Sequence, residues 1–127
     1  MSMAAKALNR NTILVVEDEL LIRLMIAEAL RQAGFEVVEA ANSDEALAVL
    51  ESQAPVDLVF SDVRMPGTMD GVALMKRLRE SRPNLKLAVA SGYSPDWPSP
   101  NLVDAFVGKP YDVARAVSRI KTLLNCE

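Results

Sequence analysis

Glu17 and Asp18 follow the apolar run T-I-L-V-V, Asp62 follows V-D-L-V-F-S, Ser91 follows K-L-A-V-A, and Lys109 follows A-F-V-G just before Pro110. Each of these polar residues stands where a run of apolar residues stops. Carboxylates brought within a few ångströms oppose one another's ionisation, so Glu17, Asp18 and Asp62 together call for a cation. An all-oxygen set with few protein ligands suits Mg²⁺, which keeps several waters and takes one or two carboxylates plus a phosphate oxygen. Such an ion keeps Asp62 ionised and nucleophilic, and attack of that carboxylate on phosphorus gives an aspartyl phosphate. The Lys109 ammonium adds positive charge around the transferring group. The Ser91 hydroxyl can donate to a phosphoryl oxygen, a contact that separates the phosphorylated from the unphosphorylated state.

Bringing these residues together requires a parallel sheet, in which every strand delivers its last residues to one edge. The chain carries the alternation of short apolar runs and helix-period segments that builds βα units. Strands are expected over 12–16, 35–39, 56–61, 85–90 and 105–107. A first helix is expected over 19–33 with Gly34 as its C-terminal stop, and a second, capped by Asn42 or Ser43, through about Leu50, with Glu45 three after Asn42 at capping-box spacing. Asp70 can cap a third helix with Val72, Met75 and Leu78 inside and Lys76, Arg77 and Arg79 in water. The last begins near Asp112, with Val113, Val117, Ile120 and Leu124 on its buried stripe. Right-handed crossovers then give an α/β fold, a doubly wound five-stranded parallel sheet of flavodoxin-like order 2-1-3-4-5.

Composition narrows the chemistry. The 127 residues suffice for one domain with a real core, and 50% hydrophobic with 24% charged residues are the proportions of a globular protein. A net charge of -3 without a basic block argues against direct nucleic-acid binding, and no apolar stretch is long enough for a membrane span or a signal peptide. A cytoplasmic location is expected. The absence of histidine removes histidine-based zinc sites, Ser-His and Cys-His pairs, and phosphohistidine on this chain. Cys126 is the one cysteine, so no internal disulfide can form, and it reads as incidental.

The segments V-V-E-D-E, S-D-V-R-M-P-G-T-M-D-G, A-S-G-Y and G-K-P-Y-D resemble, in type, order and spacing, those of bacterial two-component response-regulator receiver domains, over nearly the whole chain. The resemblance implies that Asp62 is the phospho-acceptor, Asp18 a direct Mg²⁺ ligand and Glu17 an acidic residue acting on the metal through water. It implies further that the Arg64 carbonyl completes the ligands, that Ser91 is the switch hydroxyl and Lys109 the phosphate-binding lysine, that Phe106 is the switch aromatic, and that the Lys109-Pro110 bond is cis. The Arg64 side chain leaves the loop near the expected phosphate, whereas Met65, Pro66, Gly67 and Gly71 shape that loop.

On this reading, 1–11 form an N-terminal tail and 12–125 a receiver domain with no output domain. Its phosphoryl donor would be a sensor histidine kinase or a histidine phosphotransfer protein, and its output a downstream protein partner, onward relay or a phosphate sink. A monomer or weak dimer is expected. The segment from Gly92 to Asp104 carries Pro95, Pro98 and Pro100, so the fourth helix of the family should be short or replaced by loop, as in a subgroup with an S/T-G-Y signature. Trp97 within it is either a lid over the core or a partner anchor. Two other readings share part of this pattern. A small-molecule phosphatase with an Asp nucleophile would normally show a second Asp where this chain has Arg64. A pseudo-receiver, a binding module that is never phosphorylated, would have lost an acidic, hydroxyl or lysine position.

Overall fold

The apolar runs pair into one parallel sheet. The computed structural model describes residues 11–63, 70–91, 102–108 and 112–124. Strands β1 (Thr12–Val16), β2 (Glu36–Ala40), β3 (Leu58–Asp62), β4 (Lys86–Ser91) and β5 (Ala105–Gly108) lie in the order β2-β1-β3-β4-β5, every neighbouring pair parallel. Helices α1 (Leu20–Gln32), α2 (Ser43–Glu51), α3 (Gly71–Ser81) and α4 (Val113–Leu123) are the four among the described residues. This is the doubly wound arrangement that the alternation of runs predicts. Strand order reverses beside β1 and β3, so a crevice opens beyond their carboxyl ends.

Alternate strand residues supply two cores. Ile13, Val15, Leu58, Phe60, Ala88 and Ala90 pack with Ile26 and Leu30 of α1 and Ala116 and Ile120 of α4. Leu14, Val16, Val59, Leu87 and Val89 pack with Ala46 and Leu50 of α2 and Leu74, Met75 and Leu78 of α3. Because β1, β3 and β4 are covered on both faces, their runs are continuously apolar rather than alternating. None of the helices is long and apolar enough to cross a membrane.

The helix ends follow local chemistry. Gly34, at φ 102°, donates to the Arg31 carbonyl at 3.0 Å while the Phe35 N–H donates to that of Leu30 at 3.1 Å, the paired bonds of a Schellman stop. That second bond consumes the Phe35 donor, and β2 therefore begins at Glu36, one residue later than the apolar pattern places it. The Asn42 Oδ1 accepts from Glu45 N at 2.8 Å, as capping-box spacing requires, but the Glu45 carboxylate accepts from the Ala41 N–H at 2.7 Å rather than from Asn42. Asp70 and Asp112 accept from Ala73 N and Ala114 N, each at 2.9 Å, and cap α3 and α4.

Strand β3 begins at Leu58 instead of residue 56: the Asp57 N–H still reaches the Thr12 carbonyl at 2.9 Å, but its carboxylate takes the Thr12 N–H at 2.8 Å, so that donor is not available to the residues before Asp57. A larger correction concerns Arg79. It does not face water but lies across the base of the connection leading into β5, donating to the carbonyls of Leu102 (3.1 Å), Pro83 (3.2 Å) and Leu85 (3.3 Å) and to the Asp104 carboxylate (3.0 Å). Of the basic run, Lys76 and Arg77 are the exposed pair. On the inner face of α3 the buried residues are Gly71, Leu74, Met75 and Leu78, with Val72 only half-buried.

Candidate functional site

Two strand ends carry the acidic cluster. The Glu17 N–H donates to the Ala40 carbonyl at 3.0 Å, so the chain leaves β1 still tied to β2. Its carboxylate then turns back to accept the Glu19 N–H at 3.1 Å, at the entrance of α1, where an anion also faces the positive end of the helix dipole. Asp62 is the last residue of β3, opposite Ala90 of β4, and the next residue stays in the ladder through Val63 N to the Ala90 carbonyl at 3.0 Å. The backbone of Glu17 and that around Asp62 are thus tied to the sheet.

Glu17, Asp18 and Asp62 converge. Carboxylate oxygens of the three lie within 4.8 Å of one another, with Glu17 4% and Asp62 8% exposed and Asp18 open to solvent. Carboxylates this close repel one another, and positive charge placed among them relieves that repulsion. The donor set is all oxygen and open on the Asp18 side, which fits a hard divalent cation that keeps part of its water shell. Among the described residues this is the grouping of acidic side chains that could hold a metal.

Gly71 supports the same backbone, in a way the sequence does not announce. Its N–H donates to the Val63 carbonyl at 2.8 Å, and α3 begins there packed against the end of β3. A Cβ at this position would run into the carbonyl oxygen of Asp62 and meet the Val63 Cα and O at 2.7 and 2.8 Å. Gly71, expected to help shape the loop after Asp62, also has a role of space: only a residue without a side chain lets the helix approach this closely.

Sequence reasoning also passes over Arg23 of α1. Its guanidinium donates through Nη1 to the carbonyl of Glu17 at 2.9 Å and through Nε to the Glu39 carboxylate at 3.2 Å, and Arg31 reaches the other Glu39 oxygen at 3.1 Å. The spacing of Arg23 from Glu39 spans two elements, so no local pattern signals the contact.

The remaining expected residues divide. Ser91 closes β4 with Gly108 of β5 as its register partner. Phe106, on β5, is half-buried and packs, as Leu102 and Val103 do, against the core that α2 and α3 cover. Arg64, Met65, Pro66, Gly67, Lys109 with the Lys109-Pro110 bond, Trp97 and most of the reduced-helix segment, the tail 1–10 and Cys126 lie outside the described residues.

Comparison with known proteins adds a family to this geometry. The profile of the response regulator receiver domain matches residues 13–121. The sensor kinase CckA of Brucella abortus is 40% identical over 119 residues, which is 90% of this chain and 12% of that protein. The crystal structure of the receiver domain of a hybrid histidine kinase CckA is 39% identical, covers 90% of this chain and 99% of its own, and superposes with a TM-score of 0.76. The crystal structure of the Thermotoga maritima response regulator TrrA, in complex with Mg²⁺-BeF, is 31% identical, covers 89% of this chain and 98% of its own, and has a TM-score of 0.79. The chain spans only 26% to 52% of the length of two transcriptional regulators that it also matches.

Proposed function

The chain belongs to the response regulator receiver domain family, and from that premise we propose that Asp62 is its phosphoryl acceptor and that Glu17, Asp18 and Asp62 hold Mg²⁺. Receiver domains are phospho-accepting signalling switches that take the group from histidine kinases or phosphotransfer proteins. The observation that carries the residue assignment is the convergence of the three carboxylates within 4.8 Å at the carboxyl ends of β1 and β3. Their charge and oxygen-only chemistry fit Mg²⁺, which when bound offsets the negative charge between acceptor and phosphoryl oxygens.

In this mechanism one Asp62 oxygen attacks phosphorus as the bond to the donor breaks, and the electron pair of that bond leaves with the donor. The strand end fixes the backbone that bears the attacking oxygen, so part of the orientation is supplied before the donor arrives. Glu17, which is buried, would act on the metal through water, and Asp18 would ligate it from the open side. The Arg64 carbonyl would add a ligand, while Ser91, at the end of β4, and Lys109, which follows β5 in the sequence, would bind phosphoryl oxygens. Phe106 then follows Ser91 as a packing switch, since a charge placed at the strand ends can bias a half-buried aromatic between two positions.

The protein donor has a surface to meet. Leu20, Leu21, Leu24 and Met25 form an exposed apolar row on α1 that starts two residues after Asp18, with Leu21 74% exposed. Apolar side chains grouped in this way mark contact surfaces on soluble proteins. A donor covering this row would bring its phosphohistidine beside Asp62. The setting is cytoplasmic, and the output is a protein partner, relay or a phosphate sink.

The test is intact mass after incubation with Mg²⁺ and acetyl phosphate, with Asp62→Ala and a chelated sample alongside. The proposal predicts the gain of one phosphoryl group, lost in both controls. A wild-type chain that binds Mg²⁺ but gains nothing, from acetyl phosphate or from a phosphorylated phosphotransfer protein, would instead be a binding module.

A further inference from the structure

Arg23 does no work in the chemistry above, yet its guanidinium is aimed at the backbone of the acidic pair. We propose that Arg23, held by Glu39, is a positioning residue for the cation site: it fixes the peptide that joins Glu17 to Asp18 and so sets the affinity for Mg²⁺. This rests on the proposed Mg²⁺ site.

The carbonyl that Arg23 Nη1 grips at 2.9 Å belongs to the Glu17-Asp18 peptide itself. Rotation of that one peptide plane changes ψ of Glu17 and φ of Asp18 together, swinging both carboxylates relative to Asp62. Other bonds hold the flanks of the turn. The Glu17 N–H is tied to Ala40 at 3.0 Å, and the Glu17 carboxylate takes Glu19 N at 3.1 Å. The bond from Arg23 acts directly on the plane between the two acidic residues.

Arg23 is itself fixed. Its backbone N–H donates to the Glu19 carbonyl at 2.9 Å in the first turn of α1, and its side chain, 16% exposed, meets the Glu39 carboxylate at 3.2 Å. Glu39 is also bound by Arg31, whose side chain is 43% exposed. A guanidinium offers donors in two directions from one rigid plane, toward the carbonyl and toward the carboxylate, whereas an ammonium on a flexible stem does not hold both at a set angle.

The sign of the effect separates positioning from charge. A guanidinium this near a cation site repels the cation, so if Arg23 acted only through its charge, its removal would tighten Mg²⁺ binding. Positioning predicts the opposite. Partners that orient metal ligands from outside commonly contribute about 10- to 100-fold in affinity. Acting through the backbone, Arg23 should contribute about the lower end of that range.

The experiment is a Mg²⁺ titration of wild type, Arg23→Ala, Arg23→Lys and Asp62→Asn, followed by calorimetry and by the rise of the thermal midpoint with Mg²⁺ concentration. Urea unfolding in chelator reports the stability of each variant separately. Arg23→Ala should weaken Mg²⁺ about tenfold and Arg23→Lys about threefold or more, since it keeps the charge but loses the double grip. Phosphorylation of both variants should recover toward the wild-type rate at saturating Mg²⁺. If the alanine variant does not fold, the lysine variant carries the comparison. Folded variants that bind Mg²⁺ as tightly as wild type, or more tightly, overturn the inference and leave the cation site standing. A wild-type chain that does not bind Mg²⁺ overturns the site and this inference with it.

Discussion

Replacing Gly71 with alanine should destabilise the protein, although alanine is the better helix former. The new Cβ would strike the Asp62 carbonyl oxygen and stand 2.7 Å from the Val63 Cα and 2.8 Å from the Val63 oxygen. Comfortable separations are roughly 3.5–4.0 Å, so the two Val63 contacts fall short by roughly 0.7–1.3 Å, and all three obstructing atoms are backbone with no rotamer to yield. Over-packing costs about 1–3 kcal/mol, and with backbone obstructions this close the upper part of that range, about 2–3 kcal/mol, applies, against a propensity gain of at most about 1 kcal/mol. A net loss of about 1–2 kcal/mol follows, which for a chain of this length lowers the thermal midpoint by about 4–8 °C. The relaxation must move the start of α3 away from the end of β3, and it also strains the 2.8 Å bond from Gly71 N to the Val63 carbonyl. Asp62 moves with that backbone, so Mg²⁺ affinity should fall as well. Thermal and urea unfolding with and without Mg²⁺ measure both effects. A variant as stable as wild type, with unchanged Mg²⁺ affinity, would refute the role given to Gly71.

Gln53→Gly should have the opposite sign. Gln53 has φ 66° just past the end of α2, a left-handed conformation that costs a side-chain-bearing residue about 1 kcal/mol, so glycine should raise stability by up to about that amount in urea unfolding. Arg79→Ala should cost about 2 kcal/mol, because it strips the bonds to Leu102, Pro83, Leu85 and Asp104 at once. Combined with Asp104→Ala in a double-mutant cycle, it should show coupling of about 0.5–1 kcal/mol or more, and strict additivity would count against the direct pair.

The parts of the fold that could be read from sequence are those set by local chemistry. Apolar runs flanked by Gly34, Asn42, Asp70 and Asp112 fix where elements lie, because each of those residues acts within a few positions of itself. The convergence of Glu17, Asp18 and Asp62 was legible for a different reason. Parallel strands must deliver their carboxyl ends to one edge, so topology does what local pattern cannot. Arg79 was misread because helical period assigns it to an outer face, while its partners include Asp104, 25 residues away, in a connection without periodicity. The space required at Gly71 and the grip of Arg23 on the Glu17 carbonyl depend on how α3 and α1 dock, which no run of residues encodes by itself. Strand limits shifted at Phe35 and Asp57 because in each case a capping or side-chain bond took a backbone group out of the ladder.

The assignment of Asp62 is tested most directly by locating the phosphoryl group. The chain, phosphorylated in Mg²⁺, is reduced with borohydride, which converts an aspartyl phosphate to homoserine, and is then digested and sequenced by mass spectrometry. Homoserine is expected at position 62 alone, and absent when Mg²⁺ is chelated. Reduction at Glu17 or Asp18, or a stable phosphate on Ser91 with Asp62 unmodified, would contradict it.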